Sequence, residues 1–234
     1  MKIDKKDFSF EESLKYLDWL SQQLEDIKGL RVYRNVEEVL PLNEIVKVFY
    51  AVMYIKVTKH FRQPGYHMEF VHVGVVDQIL NILQSTELLR HIDMQADGGM
   101  IALFNAPMKK DVEDLINLSA QIRSINDVVL TKFHLPQGEQ TISIGIEYGP
   151  ISHHASEYSN YDGIYYGSII QRAKMLADVK EDYVNISNDI YLNLSEDMQN
   201  NLFENSDQIG EIKYFYSPLI NIRMRKWVVE QRKG

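Results

Sequence analysis

Thr141-Ile142-Ser143-Ile144-Gly145-Ile146-Glu147-Tyr148-Gly149 is the stretch on which the reading of this chain turns. Its β-branched residues predict a strand over 141–146, and its two glycines shape the strand and the turn that follows. Upstream, Val112, Leu115, Ile116, Ser119, Ile122 and Ile125 share one helical face, while Asp111, Glu113 and Asp114 crowd the first turn where the macrodipole favours them. Ahead of that helix, Asp97-Gly98-Gly99 predicts a tight turn into the strand Met100-Ile101-Ala102-Leu103-Phe104. Helical spacing recurs over 69–90 through Phe70, Val73, Val76, Ile79, Leu80, Leu83 and Leu88. Pro64-Gly65 separates this helix from a long strand over 44–58, rich in Val, Ile and Tyr. Downstream come a tyrosine-rich loop, a helix over 168–179, a short strand Tyr183-Val184-Asn185-Ile186-Ser187 and a late one, Ile212-Lys213-Tyr214-Phe215-Tyr216.

The order strand, helix, hairpin, helix, strand, helix, strand predicts an α+β sheet with helices on one face, the layering of ferredoxin-like and palm-type domains. In front of it, Phe10, Leu14, Leu17, Leu20, Leu24 and Ile27 recur at helical spacing, Ser9 and Glu12 fit a capping box, and Gly29 falls at the expected end. This is an N-terminal amphipathic helix, packed on the domain's own core or on a second copy. The chain therefore divides into a helical extension over 1–40, a principal domain over 41–218 and a basic tail over 219–234. In that tail Arg223, Arg225, Lys226, Arg232 and Lys233 oppose only Glu230, and it reads as a solvated end.

With 234 residues, 45% hydrophobic and 11% aromatic, the chain holds one principal core and is neither disordered nor collagen-like. A formal charge of -8 argues against duplex nucleic acid as a partner. The absence of cysteine excludes disulfides, thiolate metal sites and a cysteine nucleophile, and fits the cytoplasm. The charged N-terminus lacks a signal-peptide apolar run, and no stretch reaches the ~18 apolar residues of a membrane span, so no membrane partner is expected. Neither a P-loop nor a Rossmann fingerprint is present, nor a metalloprotease or serine-hydrolase motif. His153-His154 reads as an exposed loop pair, and Tyr158, Tyr161, Tyr165 and Tyr166 as packing beneath a sheet edge or stacking a base.

Three segments, in one order, resemble the class III nucleotidyl cyclase domain, and particularly the compact bacterial pyrimidine (Pycsar-type) cyclases of antiphage defence. The resemblance covers about residues 44–190. Ile144-Gly145-Ile146-Glu147-Tyr148-Gly149 is similar to the family strand "I-G-I-x-x-G", and Gly99 to Pro107 to its hairpin strand "G-x-x-x-A-x-F-x-x-P". Tyr166-Gly167-Ser168-Ile169-Ile170-Gln171-Arg172-Ala173-Lys174-Met175-Leu176 follows the helix "G-x-x-V-N-x-A-x-R-L". The resemblance implies the palm-type cyclase fold and an active site formed between two wrapped protomers. It also implies a reaction in which a ribose 3′-hydroxyl attacks the α-phosphate under two divalent cations held by carboxylates.

At the positions this chemistry needs, the chain departs. Lys56 stands where the family's first-strand Asp ligates metal, and Gly98 stands at the hairpin Asp, with Asp97 one residue early and Gly99 following. A turn or bulge could restore the aim of Asp97, the one near-match to a metal ligand. Gln171 replaces the ribose-orienting Asn and Met175 the Arg that neutralises the α-phosphate. Arg172 and Lys174 flank that helix position but point off its face at ~100° per residue. The base-selecting positions hold Met94 and Ile164. Lys56 reads either as a fixed cation, contacting phosphates or pairing with Asp97, or as a lysine reaching solvent.

These departures together imply a degenerate cyclase-homology protein: a dimeric nucleotide-binding or regulatory module that takes a nucleoside triphosphate, a cyclic nucleotide or a protein partner. The alternative is a working cyclase that converts UTP or CTP to a 3′,5′-cyclic nucleotide with Mg or Mn, its second ligand drawn from Asp93 or Glu147. A protein-only scaffold or sensor in the same dimeric shape is a further alternative.

Overall fold

A computed structural model of the chain describes residues 15, 18, 32–33, 45–60, 66–154 and 164–233. Among them nine strands form one sheet: β1 (Val32–Tyr33), β2 (Ile45–Lys59), β3 (Leu89–Met94), β4 (Met100–Phe104), β5 (Gln140–His154), β6 (Ile164–Tyr166), β7 (Val184–Ser187), β8 (Asn205–Ile209) and β9 (Ile212–Ser217). The main path runs β3-β4-β2-β5-β7-β9-β8, with β1 beside β2 and β6 beside β5. Six helices accompany it: α1 (Tyr66–Gln84), α2 (Lys109–Lys132), α3 (Ser168–Val179), α4 (Asn188–Leu192), α5 (Glu196–Leu202) and α6 (Ile222–Gln231). The α+β class agrees with the sequence reading, and the strands and helices read there occur in that order, with β1, β6, α4, α5, β8 and α6 added to them.

The frame is the antiparallel pair β2 and β5, joined along their whole length from Lys59 opposite Gln140 to Ile45 opposite His154. Both strands are apolar at consecutive positions, so both faces of the sheet need cover. On one face Met53, Ile55, Phe104, Ile144 and Ile146 pack with Val75, Ile79 and Leu83 of α1 and Leu115 and Ile122 of α2. On the other, Val48, Tyr50, Val52, Tyr54 and Leu103 pack with Ile169, Ala173 and Ala177 of α3. The expectation of helices on a single face is thereby corrected: α3 covers the second.

Three further readings change. The helical pattern over 69–90 ends at Gln84, because the Ser85 hydroxyl donates to the Ile82 carbonyl and the Thr86 hydroxyl accepts from Leu88 N, closing the chain into a turn before β3. Leu88 stays packed against the core, which is why the spacing persisted past the helix. His153 and His154 are not in an exposed loop but buried at the end of β5, which runs eight residues beyond the predicted strand because β2 is long enough to pair it.

The basic tail is largely α6, capped by the Asn221 side chain accepting from Met224 N, with Val228 buried. Arg123 of α2 anchors the segment before it. Its Nη1 donates to Leu219 O at 2.7 Å, and Nε and Nη2 donate to the carbonyl and carboxylate of Asp182. The N-terminal amphipathic helix and the proposed boundary at residue 40 lie outside the described residues, apart from Lys15 and Asp18, which are helical. No helix among the described residues is long and apolar enough to cross a membrane.

Candidate functional site

The turn between β3 and β4 is built by two backbone hydrogen bonds, Gln95 N to Gly99 O and Gly98 N to Gln95 O, with Gly98 at φ +80°, a left-handed value that glycine adopts without strain. This geometry turns the Asp97 carboxylate back onto the α3 face of the sheet. There it accepts from the Tyr54 phenol at 2.8 and 2.9 Å, from Lys174 Nζ at 2.5 Å and from Gly99 N at 3.1 Å. Lys174 also sits 5.4 Å from the centroid of the Tyr54 ring, within cation–π range. The turn thus aims Asp97 at Tyr54 and Lys174.

Two glycines make this contact possible. Tyr54 is 1% exposed, and a Cβ on Gly99 would lie 2.1 Å from its hydroxyl oxygen, so only glycine leaves room for the ring. Across the sheet, Gly145 pairs with Tyr54. A Cβ on Gly145 would meet the Ala173 carbonyl oxygen at 2.0 Å. The backbone of α3 therefore lies directly on β5 at this glycine, and that close approach carries Lys174 to Asp97.

The electrostatics are those of a closed set of donors around one carboxylate. Hydrogen bonds from Lys174, Tyr54 and Gly99 N hold Asp97 down to about 2. Burial first, then the adjacent Asp97, pushes the Tyr54 phenol up, so it remains a donor at neutral pH. Because the folded value lies below the ordinary ~4 of a carboxylate, the stabilisation from Asp97 is fully present above pH ~4 and is lost as pH falls towards 2. Thermal unfolding of the parent should therefore become acid-sensitive between pH ~4 and ~2, and Asp97→Asn should flatten that slope; an identical slope in both proteins would contradict the assignment.

Lys56 lies on the same strand face two residues beyond Tyr54 and pairs with Asp178 of α3 at 2.6 Å, both side chains being about half exposed. The expected pairing of Lys56 with Asp97 is thus corrected: the ammonium on Asp97 belongs to Lys174, which reaches it because α3 runs close over β2 and β5. Tyr54, rather than Lys56, faces the hairpin carboxylate. Gln171 and Met175 are exposed on α3, and the hydrogen bonds at Asp97 come instead from Tyr54, Lys174 and Gly99 N. Met94 and Ile164, at positions where the resemblance implies base selection, pair opposite Met100 and His154 respectively, both half exposed.

The alternative carboxylates stand elsewhere. Asp93 accepts from the Gln95 side chain at 2.7 Å, and Glu147 is 2% exposed, accepts from Tyr148 N and is pushed up by burial. Among the described residues no three Asp, Glu or His side chains gather as a metal-holding group. The donor set at Asp97 does not fit a pair of divalent cations, since a phenol and an ammonium surround a single carboxylate. Of the tyrosines in the loop, Tyr165 stacks near His91 and His153, with centroids 4.7 and 4.6 Å away, and Tyr166 is exposed, while Tyr158 and Tyr161 lie outside the described residues.

No family profile and no curated protein sequence matches this chain. Solved structures do match in shape. The adenylyl cyclase CyaB from Pseudomonas aeruginosa is 13% identical with a TM-score of 0.58, over 74% of this chain and 95% of that one. The non-canonical dimeric guanylyl cyclase domain of the RhoGC fusion protein from the aquatic fungus Blastocladiella emersonii is 14% identical with a TM-score of 0.56, over 77% and 100%. A class III adenylyl cyclase-like ATP-binding protein from Pseudomonas aeruginosa is 14% identical with a TM-score of 0.59, over 90% of this chain and 48% of that one.

Proposed function

We propose that this chain, on the fold it shares with class III nucleotidyl cyclase domains, is a non-cyclising module that binds a nucleoside triphosphate or a cyclic nucleotide in the cleft beside Asp97. It acts as a homodimer in bacterial signalling or antiphage defence and passes the bound state to a protein partner. The observation that carries this reading is the surroundings of Asp97. Cyclisation needs cations bridging the attacking oxygen and the phosphates, held by more than one carboxylate, and Asp97 faces a phenol and the Lys174 ammonium instead. Gly99 and Gly145 let the Tyr54 ring and α3 lie close beside this carboxylate. The cyclase-like protein from Pseudomonas aeruginosa, an ATP-binding protein on the same fold, supports the step from fold to nucleotide.

In this reading Lys174 and Lys56 supply the positive charge that divalent cations supply in a cyclase, so binding does not require added metal. Calorimetric titration of the four nucleoside triphosphates and their cyclic forms, in EDTA and in Mg²⁺ or Mn²⁺, tests it. The expected result is binding of one of these nucleotides in EDTA, no cyclic product by chromatography, and about a tenfold loss of affinity in Lys174→Ala, the size of one charge-assisted hydrogen bond. A cyclic product that disappears in Asp97→Ala would establish the working cyclase instead. No binding and no product would leave the protein-only scaffold.

A further inference from the structure

A cavity lies away from Asp97, between the C-terminal end of α2 and helix α6. It measures about 600 Å³ and is lined by Thr131, Lys132, His134, Leu135, Trp227, Gln231 and Arg232. That volume falls within the range of small-molecule sites. None of its lining residues belongs to the set around Asp97.

Its two charged side chains, Lys132 and Arg232, carry the same sign. In a chain with a net charge of -8, the described lining contains an ammonium, a guanidinium and an imidazole and no carboxylate. Arg232 is held in place rather than free: Nε donates to Thr131 Oγ1 at 3.1 Å and Nη2 to Leu135 O at 3.2 Å. Those bonds leave Nη1 unused among the described residues, on a fork whose orientation is already set. Lys132 Nζ stands 5.1 Å from the centroid of Trp227, so the ammonium is carried over the half-buried indole. His134 is held at φ 56° in the turn that ends α2, which places its imidazole on the wall. Asp127, a turn earlier on α2, is paired with Arg225 at 3.9 Å, and Asp127 is not among the lining residues.

We infer that this groove is a binding site for a small phosphate-bearing molecule, its oxyanion held by Arg232, Lys132 and His134 and its body resting against Trp227. An ammonium, a guanidinium and an imidazole lining one groove suit a tetrahedral oxyanion, which accepts from several directions, better than a planar carboxylate, which one guanidinium fork would satisfy. The site stands on the α2–α6 packing alone and does not depend on a nucleotide in the cleft.

Trp19 and Trp227 are the two tryptophans of the chain, so Trp19→Phe leaves Trp227 as the sole reporter. In that background, titration with pyrophosphate and with ribose 5-phosphate at constant ionic strength should give a saturable change in Trp227 fluorescence, and ribose should give none. Arg232→Gln and Lys132→Gln should each weaken the response at least tenfold, whereas Lys174→Ala should retain it, which separates this site from the cleft. No saturable response to either phosphate compound, an equal response to ribose, or a response unchanged in both groove variants would overturn the inference.

Discussion

Gly145→Ala is expected to destabilise the protein by about 3 kcal/mol, the upper end of the range for overpacking a filled core. The added methyl would lie 2.0 Å from the Ala173 carbonyl oxygen, 2.5 Å from Ala177 N and 2.9 Å from Leu176 Cβ. Two of these are backbone atoms of α3, which cannot rotate away as a side-chain tip could, so the helix must lift off β5. Lifting α3 would also withdraw Lys174 from Asp97, because the helix carries that ammonium to the hairpin. Urea unfolding should therefore show a lower midpoint, a melting temperature some ~6–12 °C lower, and a weaker acid dependence of the kind assigned to Asp97. A variant within ~1 kcal/mol of the parent, with that acid dependence intact, would show that α3 does not rest on this glycine as described.

Phe104→Ala should cost about 3–5 kcal/mol, the usual range for removing a fully buried aromatic side chain. Phe104 is 0% exposed, stands between Ala51 of β2 and Leu89 of β3, and belongs to the core under α1 and α2. Truncation leaves a cavity that neighbours on two strands cannot close without breaking their ladder bonds. The denaturant midpoint should fall with the slope m unchanged, since the surface exposed on unfolding is nearly the same. Met175→Ala, at an exposed α3 position where the resemblance places a transition-state Arg, should stay within ~0.5 kcal/mol of the parent. If Phe104→Ala were equally mild, the strand would not carry the core contact assigned to it.

Much of this architecture was legible in the residues. The α3 helix over 168–179, the hairpin turn at Asp97-Gly98-Gly99 and the strands around 45–59 and 184–187 appear in the structure close to where periodicity and turn chemistry put them. Strong local signals carried these elements: β-branched runs, a glycine turn and an amphipathic face. Strand β8 was invisible because it is an exposed edge without apolar alternation, paired only with β9. The length of β5 escaped for a related reason, since Gly149 and Pro150 look like a strand end until β2 is there to pair with them.

The site was less legible than the fold. The first-strand motif points to Lys56, whereas Tyr54, on the same sheet face by period-two alternation, carries no motif of its own. Helical spacing points Lys174 off the face of Gln171 and Met175, yet it is the residue that meets Asp97. By itself the sequence determined the α+β class and the order of its main strands and helices, because those depend on local pattern and residue identity. Only the tertiary structure decided that α3 lies on the second face and that Gly145 lets it approach. It alone decided that Asp97 meets Tyr54 and Lys174, residues 43 and 77 positions away along the chain. Such contacts are set by how closely backbones pack and how a turn aims one carboxylate, and neither leaves a periodic trace in the sequence.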